Sequence, residues 1–402
     1  MRSYKFIQLF RLIFGKNPKP DLKKIEAMGL LAVKIGQMYA LRSDFLAPEK
    51  CQHLAQLYES TTAVPTQDFD TLFEKDASDS LKRVLKQVDP TPLASASIGQ
   101  VHLGKLETGE MVAIKIIKGD FKAEFLKDVE AVRSALKKIL IFYPKLKKVA
   151  DPMGTLETIE RLTLKELELT NEIKGIRRLT QIKDINKQKF PYLEDLHFPQ
   201  VFSHLSNNRV FVSEFIDGTS FRSLLEDNKL SYDTLLKIFR IHGFYLFLQG
   251  EFHGDLHPGN VFLRGDQIVF LDNSNIEEVP TRFGKGIVKL LFYLAEAKWK
   301  KAAHTLHSIS KVQISRKKYQ KFEAQFLDLY KNFDQKTVSE VSLTQKMMET
   351  VKLAVNSGME FENGMFSVIK TLMYLDGMVM KCNPEAILLK DVARFRKDFE
   401  GS

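Results

Sequence analysis

The run Phe252-His253-Gly254-Asp255-Leu256-His257-Pro258-Gly259-Asn260, followed by Leu271-Asp272, carries the densest chemistry in the chain. Asp255 and Asn260 stand five apart, and Asp272 lies twelve beyond Asn260. Phosphoryl transfer to a hydroxyl asks a protein for a carboxylate near the nucleophile and for oxygen ligands to Mg2+. In that reading Asp255 is the catalytic carboxylate, and Asn260 and Asp272 hold the metal. The alternative is an ordinary polar loop, which the order of the parts and the two β-rich runs, 261–263 and 267–271, around a Gly265-Asp266 turn disfavour.

Upstream, Val112-Ala113-Ile114-Lys115 ends a β-rich run. A lysine so placed can hold the α- and β-phosphates of a nucleotide. Before it comes Pro92-Leu93-Ala94-Ser95-Ala96-Ser97-Ile98-Gly99-Gln100-Val101. Small residues there allow close approach to phosphate, and Ala94, Ser95, Ala96 and Ser97 are the candidate contacts. Their Cβ atoms make the loop stiffer than a glycine loop. A carboxylate must orient Lys115. In Glu166-Leu167-Glu168-Leu169-Thr170-Asn171-Glu172 a regular helix puts Glu168 and Glu172 on one face and Glu166 elsewhere. Glu172 is the expected partner, and the 57-residue gap between it and Lys115 implies an inserted helical segment. Lys34-Ile35-Gly36-Gln37 also puts Lys34 and Gln37 on one helix face; taken alone, that is a solvated face. Gly36 inside a helix costs about 1 kcal/mol relative to alanine, which hints at close packing.

Helical spacing of apolar residues predicts helices over the first residues to Gly15, over 21–44, 48–60 and 66–88, and over 121–143 and 153–182. The runs 101–106 and 110–117 read as a hairpin turning at Thr108-Gly109. Strands are expected at 198–203 and 210–215, and mostly helix after Gly218. A β-containing front half and a helical back half suggest two lobes with a site between them. The expected division is an N-terminal helical extension over 1–85, an N-lobe with a helical insertion over 86–215 and a helical C-lobe over 216–402.

The 402 residues are 44% hydrophobic and 27% charged, too apolar for a disordered chain. Two cysteines exclude a disulfide framework and a cysteine-rich metal site. Sixty Lys and Arg against fifty Asp and Glu give a net charge of +10. No zinc pattern or helix-turn-helix signature accompanies the basic stretches 137–148 and 316–321, so no nucleic-acid partner is expected. Lys5 and Arg11 interrupt the apolar N-terminus, against a signal peptide and in favour of an amphipathic helix. That helix docks on its own protein or touches an anionic membrane surface. The runs 235–248 and 288–297 are too short and charged to span a membrane and read as buried helices.

Together these parts resemble the UbiB/AarF/ADCK family of atypical protein-kinase-like proteins. The matching segments run in family order: K-x-G-Q at Lys34 to Gln37, the alanine-rich loop with Ser97 to His102, V-A-I-K at Val112 to Lys115, and the E-x-D-type motif at Glu166 to Glu168. Glu172, the hinge-like Val212-Ser213-Glu214-Phe215-Ile216-Asp217-Gly218, the H-P-G-N loop, Asp272 and a C-terminal helix around 369–383 follow. The resemblance implies an α+β, bilobal kinase-like fold whose extension, through Lys34 and Gln37, lies over the active site and restricts protein substrates. It implies ATP or ADP with Mg2+, adenine contacts at Glu214 and Ile216, ATPase activity, and support of ubiquinone or other isoprenoid-lipid metabolism. An isoprenoid lipid is thus a candidate partner, and the expected location is cytoplasmic or peripheral on an inner membrane face, without the membrane-spanning tail of some relatives. No oligomeric state is implied. The sequence departs from the family where E-x-D reads Glu166-Leu167-Glu168 and where D-F-G reads Asp272-Asn273-Ser274. The second departure keeps open a catalytically weak nucleotide-binding scaffold. The loop Gly254 to Asn260 also resembles those of aminoglycoside and choline kinases, which keeps open a small-molecule phosphotransferase.

Overall fold

The computed structural model describes residues 3–40, 42, 46–58, 65–142, 151–331, 333, 336–361 and 364–400. The ends of the helices expected over 21–44, 48–60 and 121–143, and the basic stretch from 143 on, reach outside the described residues. Two compact units divide the chain: 1–176 with 199–216, and 177–198 with 217–402.

The first unit holds an antiparallel sheet in the order β1 (Leu85–Val88), β3 (Gly99–Leu106), β4 (Met111–Ile117), β6 (Val210–Glu214), with β2 (Ala94–Ser95) also paired to β3. The expected hairpin forms, and Gly109 at φ 92° makes its turn. Alternation along β4 turns Val112, Ile114 and Ile116 into a core with Phe69, Leu81 and Val212. Lys115 therefore points to the opposite face. A second core joins the helices Ser3–Phe14 and Leu30–Ala40 to the helices Phe121–Phe142 and Pro152–Glu166, through Leu9, Ile13, Leu31, Phe125, Val129 and Ile159. These two helices are the insertion expected between Lys115 and Glu172, and they seat the N-terminal helices.

Five expectations in this unit fail. The helices expected over 21–44 and 66–88 are each broken, the first into Leu22–Glu26 and Leu30–Ala40 around Gly29 at φ 104°, the second into Thr66–Asp76 and Asp79–Val84, where Ser78 caps the new start. Residues 85–88 are strand rather than the end of a helix: Leu-Lys-Gln-Val is too short to hold a helical period against pairing with β3. Residues 198–203 form no strand, only a bridge between Val201 and Ser213, because Pro199 lacks a donor. The helix expected over 153–182 is two, Pro152–Glu166 and Thr170–Asn186. Leu167 and Leu169 are buried at the break, and the Leu169 N–H donates to the Asn208 carbonyl at 3.0 Å.

The second unit carries a sheet in the order β5 (Leu196–His197), β10 (Gln267–Phe270), β9 (Val261–Arg264), β7 (Thr219–Ser220), and a separate pair of β8 (Glu251–His253) with β11 (Ile276–Glu278). The hairpin of β9 and β10 turns at Gly265, φ 59°. The short strands β7, β8 and β11 break the helix-only expectation outside that hairpin; each is two or three residues, below any readable alternation. The rest is helical. Tyr232–Gly243 continues as a π-helix over Phe244–Gln249, and Thr281–Ala295 packs on it with Phe244, Phe247, Phe283 and Phe292 buried. The runs expected to be buried helices are so. No helix among the described residues is long and apolar enough to cross a membrane.

Candidate functional site

In the first unit Lys115 Nζ lies 2.8 Å from Glu172 Oε2. The pair joins the sheet face to the helix Thr170–Asn186, whose first turn supplies the glutamate. Glu168 does not share that face. The break at Leu167 to Leu169 turns it outward, where it meets Lys122 at 3.0 Å with its side chain 43% exposed. The third carboxylate, Glu166, receives the Lys34 ammonium. Lys34 and Gln37 are not a solvated face: Gln37 is buried and its Nε2 donates to the Leu57 carbonyl at 2.7 Å. The reason is Gly36, whose missing Cβ would stand 2.5 Å from Leu57 Cδ1. The close packing expected from that glycine exists, and it draws both neighbours inside.

The alanine-rich segment folds as a tight turn. Ala94 and Ser95 pair with Val101 and Gln100, and the Ala96 N–H donates to Gly99 O. Ala94 and Ala96 are exposed, and Ser95 and Ser97 are half-buried. Gly99 is required there, since a Cβ would meet Ile116 O at 2.9 Å. The polar residues after the turn are structural. Gln100 Nε2 and His102 Nε2 are 2.8 Å apart, and His102 Nδ1 is 2.8 Å from Asp89 O. Burial pushes the His102 imidazole below its usual range. Lys118, which the sequence reading missed, donates to Ser95 Oγ at 3.1 Å; burial brings its ammonium down to about 8, against the pull of Glu26. At the end of β6 the Glu214 carboxylate accepts the Gln200 N–H at 3.1 Å, and Ile216 is buried.

In the second unit Asp255 follows β8, and backbone bonds tie its loop to the segment of Asp272. Gly254 N–H donates to Asn275 O at 2.8 Å and Leu271 N–H to Asn260 O at 2.9 Å. His253 bridges the two: its Nδ1 accepts the Asp255 N–H at 3.1 Å, which leaves Nε2 to donate to Leu271 O at 3.0 Å. Asn260 Nδ2 donates to the Asp255 carbonyl at 3.0 Å. The amide is thereby oriented with Oδ1 as its remaining acceptor. Asp272 is held at φ 50°, and its Oδ1 accepts the Ser274 hydroxyl at 2.9 Å. Asp255, Asn260 and Asp272 are thus brought together by the loop and hairpin that the sequence placed around them.

Two partners of Asp255 come from the helix Met365–Cys382. Lys370 Nζ lies 2.6 Å and Tyr374 Oη 2.9 Å from Asp255 Oδ1. Burial alone would raise this carboxyl, but the Lys370 ammonium, then the neighbouring His257 and the Tyr374 hydroxyl, hold it well below the usual carboxylate range. Burial also brings His257 down to about 4.

The residues fit a divalent cation of the magnesium type. No cluster of three or more His, Cys, Asp or Glu side chains among the described residues could hold a metal. Magnesium asks for less than that, namely one or two protein oxygens beside phosphate and water, which the Asn260 amide and the Asp272 carboxylate could supply. Behind Asp272, Asn273 is fully buried: its Nδ2 donates to Phe270 O at 3.0 Å, while Oδ1 has no partner among the described residues. The ring of a D-F-G phenylalanine is replaced by an amide with one unsatisfied acceptor.

The chain is similar to "Probable protein kinase UbiB" of Glaesserella parasuis, at 26% identity over 93% of this chain and 69% of the relative. It is also similar to "Probable protein kinase UbiB" of Tolumonas auensis, at 25% identity over 97% and 73%. Among solved structures it resembles the Rv3197–erythromycin complex of Mycobacterium tuberculosis, with a TM-score of 0.46 and 17% identity over 97% of both chains. The model of the ABC1 atypical kinase-like domain matches residues 56–306, a stretch that begins in the helical N-terminal region and contains the Lys115–Glu172 pair, the Asp255 loop and Asp272. Its α+β architecture is therefore a kinase-like fold, and the chain belongs to the ABC1 atypical kinase-like family.

Proposed function

We propose that this protein binds ATP with Mg2+ and hydrolyses it, or transfers its terminal phosphoryl group, in support of ubiquinone or other isoprenoid-lipid metabolism. The observation that carries the reading is the Lys115–Glu172 pair at 2.8 Å. A buried lysine–glutamate pair that needs a 57-residue insertion to form is a costly way to hold a strand, and a direct way to orient an ammonium toward phosphate. Asp255 then orients the attacking hydroxyl or water. Mg2+ on Asn260 and Asp272 would neutralise charge on the phosphates. Ala94 to Ser97 approach the phosphates through backbone, and Glu214 and Ile216 take the adenine. Lys34 and Gln37 fasten the N-terminal helices to Glu166 and Leu57, which supports a fixed rather than detachable extension. The domain division at residues 85 and 215 belongs to the same reading.

The test is ATP binding and hydrolysis by the purified chain, with and without Mg2+, in the wild type and Asp255→Asn. Hydrolysis unchanged in Asp255→Asn sinks the assignment. One observation favours a second reading, a nucleotide-binding scaffold without turnover: Ser274 holds an oxygen of Asp272, and Asn273 stands where a phenylalanine would pack. Mg2+-dependent binding without hydrolysis, in the presence of lipid and isoprenoid phenols, selects it.

A further inference from the structure

We propose that Lys370 is a catalytic residue, an ammonium that contacts the terminal phosphoryl group while it holds Asp255. This deepens the nucleotide reading above and rests on it. The loop from His253 to Asn260 contains no lysine or arginine. Phosphoryl transfer nonetheless requires positive charge against the equatorial oxygens of the group in transit. Arg222 lies near this loop, but against Gly259 and His257. The cation on Asp255 itself is Lys370, delivered from about a hundred residues further along the chain, at 2.6 Å from Oδ1.

Three features separate this lysine from a merely structural one. First, it is 9% exposed, and lysine is rarely buried so far without a reason beyond one ion pair. Second, Tyr374, one turn along the same helix, already donates to the same oxygen at 2.9 Å. A neutral donor therefore suffices to fix the rotamer of Asp255, and what Lys370 adds is charge. Third, both donors take Oδ1. Oδ2 is left to accept from the nucleophile, and the Asp255 side chain is 22% exposed against 11% for Lys370. The ammonium keeps two of its three N–H groups beyond the one given to Oδ1, and these are the groups offered to phosphate.

In the step, the nucleophile oxygen bonds to the γ-phosphorus. The bond from that phosphorus to the β–γ bridging oxygen breaks, and its electron pair leaves with ADP. The nucleophile's proton is released to solvent, and Lys370 remains an ammonium throughout.

The experiment uses the full chain with Mg2+, measuring ATP and ADP affinity by calorimetry and ATP hydrolysis by phosphate release. Lys370→Gln should lower kcat about 100-fold and narrow the preference for ATP over ADP about tenfold, because the lost charge faces only the γ-phosphate. Lys370→Arg should recover most of both. Wild-type kcat and wild-type preference in Lys370→Gln overturn the proposal. If Lys370→Gln fails to fold, Lys370→Met with Asp255→Asn removes both charges, and its ATP-over-ADP preference is compared with that of Asp255→Asn alone; equal preferences overturn the proposal. A wild type that binds no Mg2+–ATP overturns the nucleotide reading and this one together. A wild type that binds but does not hydrolyse removes turnover only, and the affinity ratio still decides Lys370.

Discussion

Two part-buried lysine–carboxylate pairs, Lys115–Glu172 in one unit and Lys370–Asp255 in the other, are built the opposite way round. In Lys115–Glu172 the carboxylate is the hidden member, 5% exposed against 18% for the lysine. In Lys370–Asp255 the lysine is hidden, 11% against 22%. The more exposed member is presented more openly, while its partner stands closer to the core. One unit thus presents an ammonium, suited to phosphate, and the other a carboxylate, suited to a hydroxyl. The sequence origin of the hidden member differs as well. Glu172 lies in the first turn of a helix, right after the helix break at Leu167 to Leu169, whereas Lys370 lies inside the helix Met365–Cys382.

The largest break in this comparison removes the presented carboxylate. Asp255→Asn should lower ATP hydrolysis about 1000-fold while Mg2+–ATP binding changes little, read by phosphate release and calorimetry on the same protein. Removing the hidden carboxylate should act differently. Glu172→Gln leaves Lys115 without its countercharge, and breaking a buried pair costs about 3 kcal/mol. Thermal unfolding should shift down, and ATP affinity should fall roughly tenfold as Lys115 loses its orientation. If Glu172→Gln loses activity but keeps both stability and affinity, the glutamate does more than orient.

The two pairs were not equally legible. Lys115, Glu172, Asp255, Asn260 and Asp272 could be named from residue type and spacing because strand, loop and hairpin chemistry is local. Lys370 and Tyr374 could not, since nothing near them in the chain marks which loop their helix faces. Glu168 was misread for the converse reason: the helix was assumed unbroken, and the break is made by tertiary contacts of Leu167 and Leu169 and by a bond to Asn208. The solvated reading of Lys34 and Gln37 failed likewise. Only Gly36, an expensive residue in a helix, announced that this face was covered.

That coverage supplies a smaller prediction on the first unit alone. Gly36→Ala places a methyl 2.5 Å from Leu57 Cδ1, so either the leucine moves or the helices separate. Overpacking of this kind costs about 2 kcal/mol, read as a lower unfolding midpoint. If the shift also loosens the Gln37 bond to Leu57, protease cleavage in the N-terminal helices should accelerate. An unchanged midpoint would mean that Leu57 has room to turn.

The smallest effect sharpens the second unit. The loop that presents Asp255 is lined by imidazoles that burial keeps neutral: His257 is brought down to about 4, His242 to about 3, and His253 is lowered as well. In the unfolded chain each titrates near 6.5. Between about pH 6.5 and 4 the unfolded chain therefore binds more protons than the folded one, so stability falls with acidification. His257 and His242 should each remove about 1 kcal/mol between pH 6.5 and 5.5, where the unfolded imidazole goes from half to mostly protonated. Asp255 contributes nothing over that range, because its carboxyl lies below the usual range and stays ionised in both states. Denaturant unfolding at pH 7.5, 6.5 and 5.5 reads the slope. A midpoint that holds steady or rises on acidification would show charged imidazoles beside Asp255, and Lys370 would then no longer be the cation that sets the charge of the loop.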